Sequence, residues 1–402
     1  MSQPIIHIRD ISDLVEAIRS AQATAKPFSL QSAGTKKNLG RYVAQDQILS
    51  LKALTGVTLY EPEELVLSAR AATPLAEIET LLAKNNQQLA FEPIDYAFLL
   101  GQSANKGTIA GALAINASGP RRVKAGAARD HLLGFSAVTG RGEFIRSGGR
   151  VMKNVTGFDL SKLLCGSYGT LAALTDITLK VMPKAETEKT LIFFKRTEAE
   201  CLKLLRQATA SSHDVSGICM IPAGRMEGFG QNIAAMRLEG PEISVSSRCE
   251  SLCLELVEND VERTLLNEET SRLFWQKIKN VEPITTCNGQ VWRLSIAPRD
   301  GNDVIKSLQG AGLPIQGYFY DWAGGLIWLA VDPAPHAYAK IIRMIVDQKG
   351  GHATLIRADA ETRATVDVFH PQPEVLAQLT SRIKCSFDPA CVLERGRLRA
   401  EF

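Results

Sequence analysis

Glycine recurs between short apolar runs from Gly101 to Gly169, and this spacing strongly limits how the chain can fold. Glycine at that density indicates many tight turns, or places where the backbone closely approaches another group. The segment ends in a strand pattern, because apolar and polar residues alternate from Asp176 to Val181 before Pro183. The glycine-rich segment is therefore expected to combine short strands with many loops.

The sequence on either side of the glycine-rich segment shows ordinary strand and helix patterns. Phe28 to Gln31 and Ile48 to Leu51 are typical of short strands, and Thr73-Pro74 predicts a capped helix start. Beyond about residue 184 the glycines thin out, and helices are predicted over Glu198 to Ala210 and Val261 to Ile278. We expect a mixed α and β protein with a domain boundary near residues 183–190.

Size and composition narrow the function classes. A chain of 402 residues suggests two or three domains. With 45% hydrophobic and 22% charged residues, the composition excludes a disordered or fibrous chain. The net charge of +3 gives no support to nucleic-acid binding or to direct membrane-surface binding. No apolar run approaches the roughly 18–20 residues of a membrane span, and Met1 to Asp10 lacks a secretory signal pattern.

The eight cysteines show no Cys-x-x-Cys pair, no ferredoxin spacing and no zinc-ribbon spacing. They are interpreted as reduced thiols of a cytoplasmic chain, with no metal site. Cys249 and Cys253 are four residues apart and are expected to share a helix face, where packing is favoured over metal binding.

The common nucleotide and hydrolase signatures are absent: there is no Gly-x-Gly-x-x-Gly, phosphate-loop, Gly-x-Ser-x-Gly or His-Glu-x-x-His sequence. Two glycine-bearing loops nevertheless suit an anion. Ser32 to Lys37 combines a tight turn with two lysines, and Lys106 to Ala114 is predicted to present free amides at a helix N-terminus. Ordinary turns between strands are the alternative for both loops. Together they suit a diphosphate lying between two subdomains.

A set of short motifs resembles one flavoprotein family. The first group is Glu92-Pro93, Gly107 to Ala112, Ala117-Ser118-Gly119, Ala128-Arg129-Asp130 and Leu133-Gly134. The second group is Val151 to Leu160, Gly166 to Leu171, Phe387-Asp388-Pro389 and Gly396-Arg397-Leu398. These runs are similar to the FAD-binding fold of the vanillyl-alcohol oxidase and p-cresol methylhydroxylase flavoproteins. Ser118 to Arg122 combined with Gly148 to Val155 narrows the resemblance to the FAD-binding subunits of glycolate oxidases.

The resemblance implies an α+β (α/β) protein with a two-subdomain FAD-binding domain and an α+β cap domain. The FAD-binding domain would cover 1–185, with subdomains of about 1–58 and 59–185. The cap would cover 186–370, and 371–402 would return to the FAD domain.

The resemblance also implies the cofactor contacts. They are Ser32, Ala33, Gly34, Thr35, Lys36, Pro93, Gly107, Thr108, Ile109, Gly111, Ser118, Gly119, Arg129, Asp130, Lys153, Gly169, Thr170 and Ile177. The family's diphosphate loop is usually Gly-Gly-Gly-Ser/Thr-Lys, so Ser32 and Ala33 each add a Cβ where a positive φ would be strained. No histidine lies near this loop and the nearest cysteine of the region is Cys165, so non-covalent FAD is expected.

Several charged residues carry two interpretations. Arg129 and Asp130 either hold a loop near the flavin or form an ordinary surface pair. Lys153 either stabilises the anionic reduced flavin or is a solvated lysine. Arg121 and Arg122 either meet a phosphate or a partner's carboxylate, or belong to an exposed basic turn.

The expected function is that of a flavin subunit of a glycolate oxidase (dehydrogenase) complex, oxidising a small 2-hydroxy acid, glycolate, to glyoxylate. The partners would be a second flavoprotein subunit and an iron–sulfur subunit, and any membrane contact would come through them. A stand-alone FAD-dependent dehydrogenase and a non-catalytic flavin-fold scaffold are the alternatives. The catalytic residues stay unassigned, because the His-x-Gly-Asp-Gly-Asn-x-His motif of related dehydrogenases is absent.

Overall fold

The computed structural model describes residues 3–44, 46–149, 158–195, 197–256 and 262–402. Ten strands precede residue 184 in these ranges: β1 (Ile5–His7), β2 (Phe28–Gln31), β3 (Gln47–Ser50), β4 (Val57–Glu61), β5 (Val66–Arg70), β6 (Gln87–Gln88), β7 (Leu132–Thr139), β8 (Phe144–Gly148), β9 (Ala172–Lys180) and β10 (Met182–Pro183). They form a parallel sheet β1-β3-β2, an antiparallel sheet β4-β5-β9-β7-β8, and the pair β10-β6.

Eight later strands form one antiparallel sheet. They are β11 (Thr187–Lys195), β12 (Gly217–Ile221), β13 (Asn232–Gly240), β14 (Arg263–Leu266), β15 (Gln290–Ser295), β16 (Ile315–Asp321), β17 (Leu326–Val331) and β18 (His352–Arg357). Their order is β14-β11-β13-β12-β16-β17-β15-β18. The mixed α and β architecture expected from the sequence is confirmed.

The helices of the first part are α1 (Ile11–Thr24), α2 (Leu75–Ala83), α3 (Ala97–Leu100), α4 (Ile109–Ala114), α5 (Arg122–Ala125), α6 (Ala128–His131) and α7 (Leu160–Leu164). Those that follow are α8 (Glu198–Ala210), α9 (Glu242–Leu256), α10 (Glu268–Lys279), α11 (Gly301–Gly310), α12 (Ala339–Asp347), α13 (Ala360–Thr365) and α14 (Glu374–Phe387). Short 3₁₀ turns cover Glu282–Ile284, Pro298–Asp300 and Trp322–Gly324. Among the described residues no helix is long and apolar enough to cross a membrane.

The two faces of the eight-stranded sheet bury different neighbours. One face packs against α8, α9, α11 and α12 through residues such as Leu205, Leu252 and Ile342. The other face, including Trp328 and Ile356, packs against α10 and against Tyr96, Ala112 and other residues of the first part. This shared apolar core fixes the eight-stranded sheet against the glycine-rich region.

The C-terminal segment lies along β2, far from it in sequence. The amide of Phe28 donates to the carbonyl of Val392 at 3.0 Å, and the amide of Glu394 donates to the carbonyl of Phe28 at 3.1 Å. A buried ion pair supports this turn, because Lys384 Nζ lies 2.6 Å from Asp388 Oδ2 and also donates to the carbonyl of Thr170. The C-terminal residues therefore help to form the region around β2.

Two local predictions are wrong. The helix expected over 261–278 is instead strand β14, then Asn267, then α10; the Asn267 side chain accepts from the amide of Thr270 and starts the helix there. Thr73 does not cap α2. Its hydroxyl donates to the carbonyl of Arg70 at 2.7 Å and accepts from the amide of Gly56 at 3.0 Å, so these contacts use the group that the sequence assigned to the helix.

Candidate functional site

A cleft lies where the end of β2, α4, the 167–169 turn and the C-terminal segment meet, and its empty space, including space open to solvent, is about 920 Å³. Its walls include residues 29–37 on one side, with Thr108, Gly111 and Tyr168 opposite. Glu394 and Arg397 enter it from the C-terminal segment.

The loop after β2 offers backbone donors to the cleft. Within the described part of the chain, the amides of residues 32–36 donate to no protein acceptor. Gly34 has φ +74°, whereas Ser32 and Ala33 have no positive φ. The two replaced glycines therefore cause no backbone strain, and the single residue that needs a left-handed conformation is still glycine.

Positive side chains lie on the same wall. Lys36 is half-buried, its Nζ lies 5.4 Å from the centroid of the Tyr96 ring, and burial lowers its pKa against the opposing effect of Asp95. Arg397 Nη2 donates to the carbonyl of Lys36 at 2.7 Å, while its buried Nε has no hydrogen-bond partner among the described residues. Unpaired amides beside two cations suit a ligand that carries several negative oxygens.

One acid on the cleft wall is already engaged. Glu394 Oε1 accepts a hydrogen bond from the amide of Leu30 at 2.7 Å, and burial raises the pKa of this carboxyl. Because the carboxyl is buried against β2, it connects the C-terminal segment to the loop that follows β2.

The expectation of free amides at the start of α4 is wrong. The amide of Ile109 donates to the carbonyl of Thr73 at 3.0 Å, and that of Ala110 donates to the carbonyl of Ala71 at 3.1 Å. The hydroxyl of Thr108 accepts from the amide of Gly111 at 3.3 Å. This helix start is satisfied within the protein, so Thr108 and Gly111 contribute surface to the cleft rather than a set of free donors.

The structure brings together some of the predicted contacts and separates the rest. Those that line the cleft are Ser32, Ala33, Gly34, Thr35, Lys36, Thr108, Gly111 and Gly169. Those outside its lining are Pro93, Gly107, Ile109, Ser118, Gly119, Arg129, Asp130, Thr170 and Ile177. Lys153 is outside the described residues.

Several of the separated residues have structural partners. Ile177 is fully buried in the five-stranded sheet, and Thr170 donates to the carbonyl of Ser167 at 2.7 Å. Ser118 Oγ accepts from the amide of Ala128. Asp130 accepts from the amide of Ala127, and its pairing with Arg129 is half-exposed at 3.9 Å. These contacts give each of these residues a structural role that does not depend on a cofactor.

Tyr168, Arg397 and Glu394 are among the residues of the cleft wall that sequence reasoning missed. Tyr168 lies within the predicted Gly166 to Leu171 motif and has φ +55°, which is unusual for a bulky residue. Arg397 lies within the C-terminal motif, so its position in a recognised run was an available signal. Glu394 had no such signal, because its role depends on contact with Leu30 across the chain.

A second group of charges lies outside the cleft, between the first part and the eight-stranded sheet. We call Glu92, Arg121, Arg237 and Glu239 the charge quartet. Arg121 is bidentate to Glu239 at 3.0 and 2.5 Å, and Arg237 is bidentate to Glu92 at 2.9 and 3.2 Å. The phosphate or partner-carboxylate interpretation of Arg121 is therefore replaced by pairing with a carboxylate of its own chain.

The charge quartet is buried and fully paired. Burial would raise the pKa of Glu92, but Arg237 and Arg121 together lower it to about 2. The same two guanidiniums lower the pKa of Glu239 against its burial. Two positive and two negative groups therefore neutralise one another at this contact, which stabilises the packing of the sheet on the first part.

Most of the cysteines are buried in the protein interior. Burial raises the pKa of Cys165 to about 12, and its thiol donates to the carbonyl of Leu113. Cys249 and Cys253 both lie on α9, one buried and one half-buried. Among the described residues no group of three or more His, Cys, Asp or Glu side chains is arranged to hold a metal ion.

The fold agrees with the comparisons with known proteins. A family described as FAD binding domain matches residues 3–148. The structure aligns with p-cresol methylhydroxylase over 99% of this chain and 89% of that one, with a TM-score of 0.73 and 13% identity. The chain is thus a flavoprotein with the p-cresol methylhydroxylase type of fold, and its cofactor is FAD.

The relationship is closer in sequence to one group within that class. The chain is 33% identical over 392 residues to the glycolate oxidase subunit GlcE of Escherichia coli (strain K12), covering 96% of this chain and 97% of that one. It belongs to the GlcE family of FAD-linked oxidoreductase subunits. A shorter region is 44% identical over 85 residues to the glycolate oxidase subunit GlcD of Bacillus subtilis (strain 168), covering 21% and 18% of the two chains.

Proposed function

We propose that this chain holds FAD non-covalently in the cleft, with the diphosphate against residues 32–36. Unpaired loop amides, Lys36 and the buried Nε of Arg397 support this position, because a diphosphate accepts several hydrogen bonds and carries negative charge. Thr108, Gly111 and Gly169 would contact the cofactor from the facing wall. Lys153 stays a proposed contact on the resemblance alone.

We propose that the reaction is oxidation of glycolate, a 2-hydroxy acid, to glyoxylate. The observation that carries this proposal is the nearly full-length similarity to a glycolate oxidase subunit. When bound, FAD supplies the acceptor for the hydride of the hydroxyl-bearing carbon. This chain would position the cofactor and the acid and exclude water from them.

Both relatives are named as subunits of glycolate oxidase, which supports the proposal that this chain acts within a complex of several subunits. We propose a second flavoprotein subunit and an iron–sulfur subunit as partners, because the cysteine spacing of this chain suits no cluster. The assembly would act in the cytoplasm, with any membrane contact made through the partners.

The visible absorption spectrum of the purified chain, before and after anaerobic glycolate, tests the proposal. A flavin spectrum that bleaches only when the partner subunits are added is the expected result. Bleaching by the chain alone would favour a stand-alone dehydrogenase. Absence of flavin, both alone and in the assembled complex, would favour a non-catalytic scaffold.

Replacement of Gly111 tests the position of the cofactor. A Cβ at Gly111 would lie 3.2 Å from Thr108 Oγ1 and 3.7 Å from Lys36 Cγ, so Gly111→Leu would extend from the cleft wall. We expect this variant to fold but to lose most of its flavin, measured as the ratio of flavin to protein after gel filtration. Gly310→Leu is the matched control, since a Cβ there meets nothing within 4 Å. Equal flavin content in the two variants would refute the position.

A further inference from the structure

Trp322 lies between two arginines from different parts of the chain. Arg122 Cζ lies 4.8 Å from the centroid of its ring, and Arg293 Cζ lies 5.1 Å from it. The indole Nε1 points to the carbonyl of Gly119, 3.4 Å away. Arg122 begins α5 and Arg293 lies on β15, so the tryptophan brings together a cation from the first part and a cation from the eight-stranded sheet.

The backbone holds this tryptophan in an unfavourable conformation. Trp322 has φ +52° and the next residue, Ala323, has φ +57°. Neither residue is glycine, and such conformations persist only where surrounding contacts enforce them. The buried Asp321 supplies one such contact, since its Oδ1 accepts from the amide of Trp322 at 2.8 Å. The ring is therefore a fixed platform for the two guanidiniums.

Neither guanidinium has an acceptor in the part of the chain that the structure describes. The side chains of Arg122 and Arg293 are both half-buried, yet they make no hydrogen bond and no ion pair there. Arg121, one residue before Arg122, instead pairs with Glu239 and Glu92. Two guanidiniums that share one ring and lack acceptors form a binding position for a small anion, because each offers a planar set of N–H donors.

The surroundings favour an anion over a further cation. Strands β15 and β18 pair Arg293 with Thr354 and Ser295 with His352. His352 therefore lies diagonally across from Arg293, on the same face of the sheet. Desolvation lowers the pKa of His352, and Arg293, His370 and Arg122 lower it further, which favours the neutral imidazole. Asp130 is the acid that raises the pKa of Arg122, against the lowering caused by burial. Its carboxylate already accepts a hydrogen bond from the amide of Ala127.

A chain of contacts links Arg293 to the cleft. Arg293 lies opposite Trp328 on β17, whose ring centroid is 6.2 Å from that of Tyr96, and Lys36 of the cleft wall lies 5.4 Å from the Tyr96 ring. Burial raises the pKa of Tyr168, while the Arg293 and Arg397 guanidiniums oppose that rise. Tyr168 lines the cleft, and Arg293 acts in the same direction on the pKa of the neighbouring buried Tyr96. Arg293 thus lies near the cleft wall, and Arg122 shares the Trp322 ring with it.

We propose that Arg122 and Arg293 bind the carboxylate of the small 2-hydroxy acid, with Trp322 as the rigid support between them. This inference rests on the proposed function and names the specificity-determining residues of that site. A carboxylate that receives N–H donors from both guanidiniums would place its hydroxyl-bearing carbon beside the flavin cleft. Neutral alcohols would lack the group that the pair recognises.

Titration of the full chain with glycolate, and separately with oxalate, tests the proposal through tryptophan fluorescence. The wild-type signal should change and saturate, and Trp322→Phe should remove most of that change. Arg122→Gln and Arg293→Gln should each weaken binding by at least tenfold. Arg146→Gln is the matched control, because Arg146 also lies over an aromatic ring, exposed Phe144, at 5.0 Å. It should bind as the wild type does.

The outcomes separate this inference from the proposed function. Flavin content is measured in every variant by its visible spectrum. Normal flavin content with no saturable acid binding in the wild type would overturn the arginine site and leave the flavin proposal standing. Equal affinity in Arg293→Gln and Arg146→Gln would also overturn it. Saturable binding that both arginine variants lose would support the site even in a chain purified without flavin.

Discussion

The charge quartet and the arginine pair around Trp322 start from neighbouring residues, Arg121 and Arg122, but they differ in how their charges are satisfied. Arg121 is buried and bidentate to a glutamate, whereas Arg122 is half-buried and lies against a ring with no acceptor among the described residues. Paired buried charges hold two parts of the molecule together. Half-buried charges left without a partner mark where a ligand of opposite sign is expected.

The buried pair Lys384–Asp388 gives the strongest test of the structural half of this comparison. Both side chains are almost fully buried, and Lys384 Nζ also donates to two carbonyls. Lys384→Met leaves the carboxylate without its cation, so we expect a loss of about 3–5 kcal/mol in the free energy of unfolding, measured with urea. Lys162→Met, which removes the exposed Lys162–Asp159 pair, should cost at most about 1 kcal/mol. Similar losses in both variants would contradict this interpretation.

The charge quartet should show strong coupling between its members. Arg121→Met leaves two carboxylates to one guanidinium and should destabilise the chain by about 3 kcal/mol. Adding Glu239→Met leaves Glu92 paired with Arg237, so the double variant should recover part of that loss. A double-mutant cycle by urea unfolding should give a coupling energy of about 1–3 kcal/mol. Simple additivity would show that the four charges do not act as one group.

Acid should weaken the same group. The pKa of Glu92 is held at about 2 in the folded chain, below its ordinary value of 4.5. A lowered folded pKa contributes stability above pH 4.5, and this contribution is lost as the pH falls from about 4.5 to about 2. The difference is at most about 3 kcal/mol. Unfolding free energies across this range should fall less steeply in Glu92→Gln than in the wild type, and parallel curves would contradict the assignment.

The smallest expected effect concerns the ligand side of the comparison. Lys36→Met removes one cation from the cleft wall while the loop amides remain, so FAD retention should weaken by about tenfold without a change in thermal stability. Flavin release on dilution measures this, and the weakening should shrink at high salt. Lys52→Met, at an exposed lysine outside the cleft, is the control. Lost thermal stability in Lys36→Met would assign Lys36 to the structural group instead.

The sequence predicted the parts of the fold that depend on neighbouring residues. Strand β9 follows from its alternation, and α8 covers the helix predicted over Glu198 to Ala210. The loop Ser32 to Lys37 was predicted as an anion site because glycine and lysine occur together there, and the structure places it along the cleft. The prediction for 261–278 was wrong because pairing of β14 with β11 and the Asn267 cap override a pattern that is compatible with a helix.

Local reasoning also misjudged donors that tertiary contacts use. The start of α4 has the composition of an anion-binding turn, yet the carbonyls of Ala71 and Thr73 occupy its amides. Conversely, the replaced glycines at Ser32 and Ala33 suggested a damaged loop, whereas positive φ is confined there to Gly34. Sequence shows which groups exist, but it does not show which of them have already found a partner.

By itself the sequence determined the class of fold and its loop-rich first part, since motifs and periodicity are local properties of the chain. Only the tertiary structure decided which charges neutralise each other and which remain unpaired. Glu92 meets Arg237, Leu30 meets Glu394, and Arg122 meets Arg293 across Trp322. Each meeting joins residues more than 100 positions apart, and the energy of a charge depends on its distance to others in space.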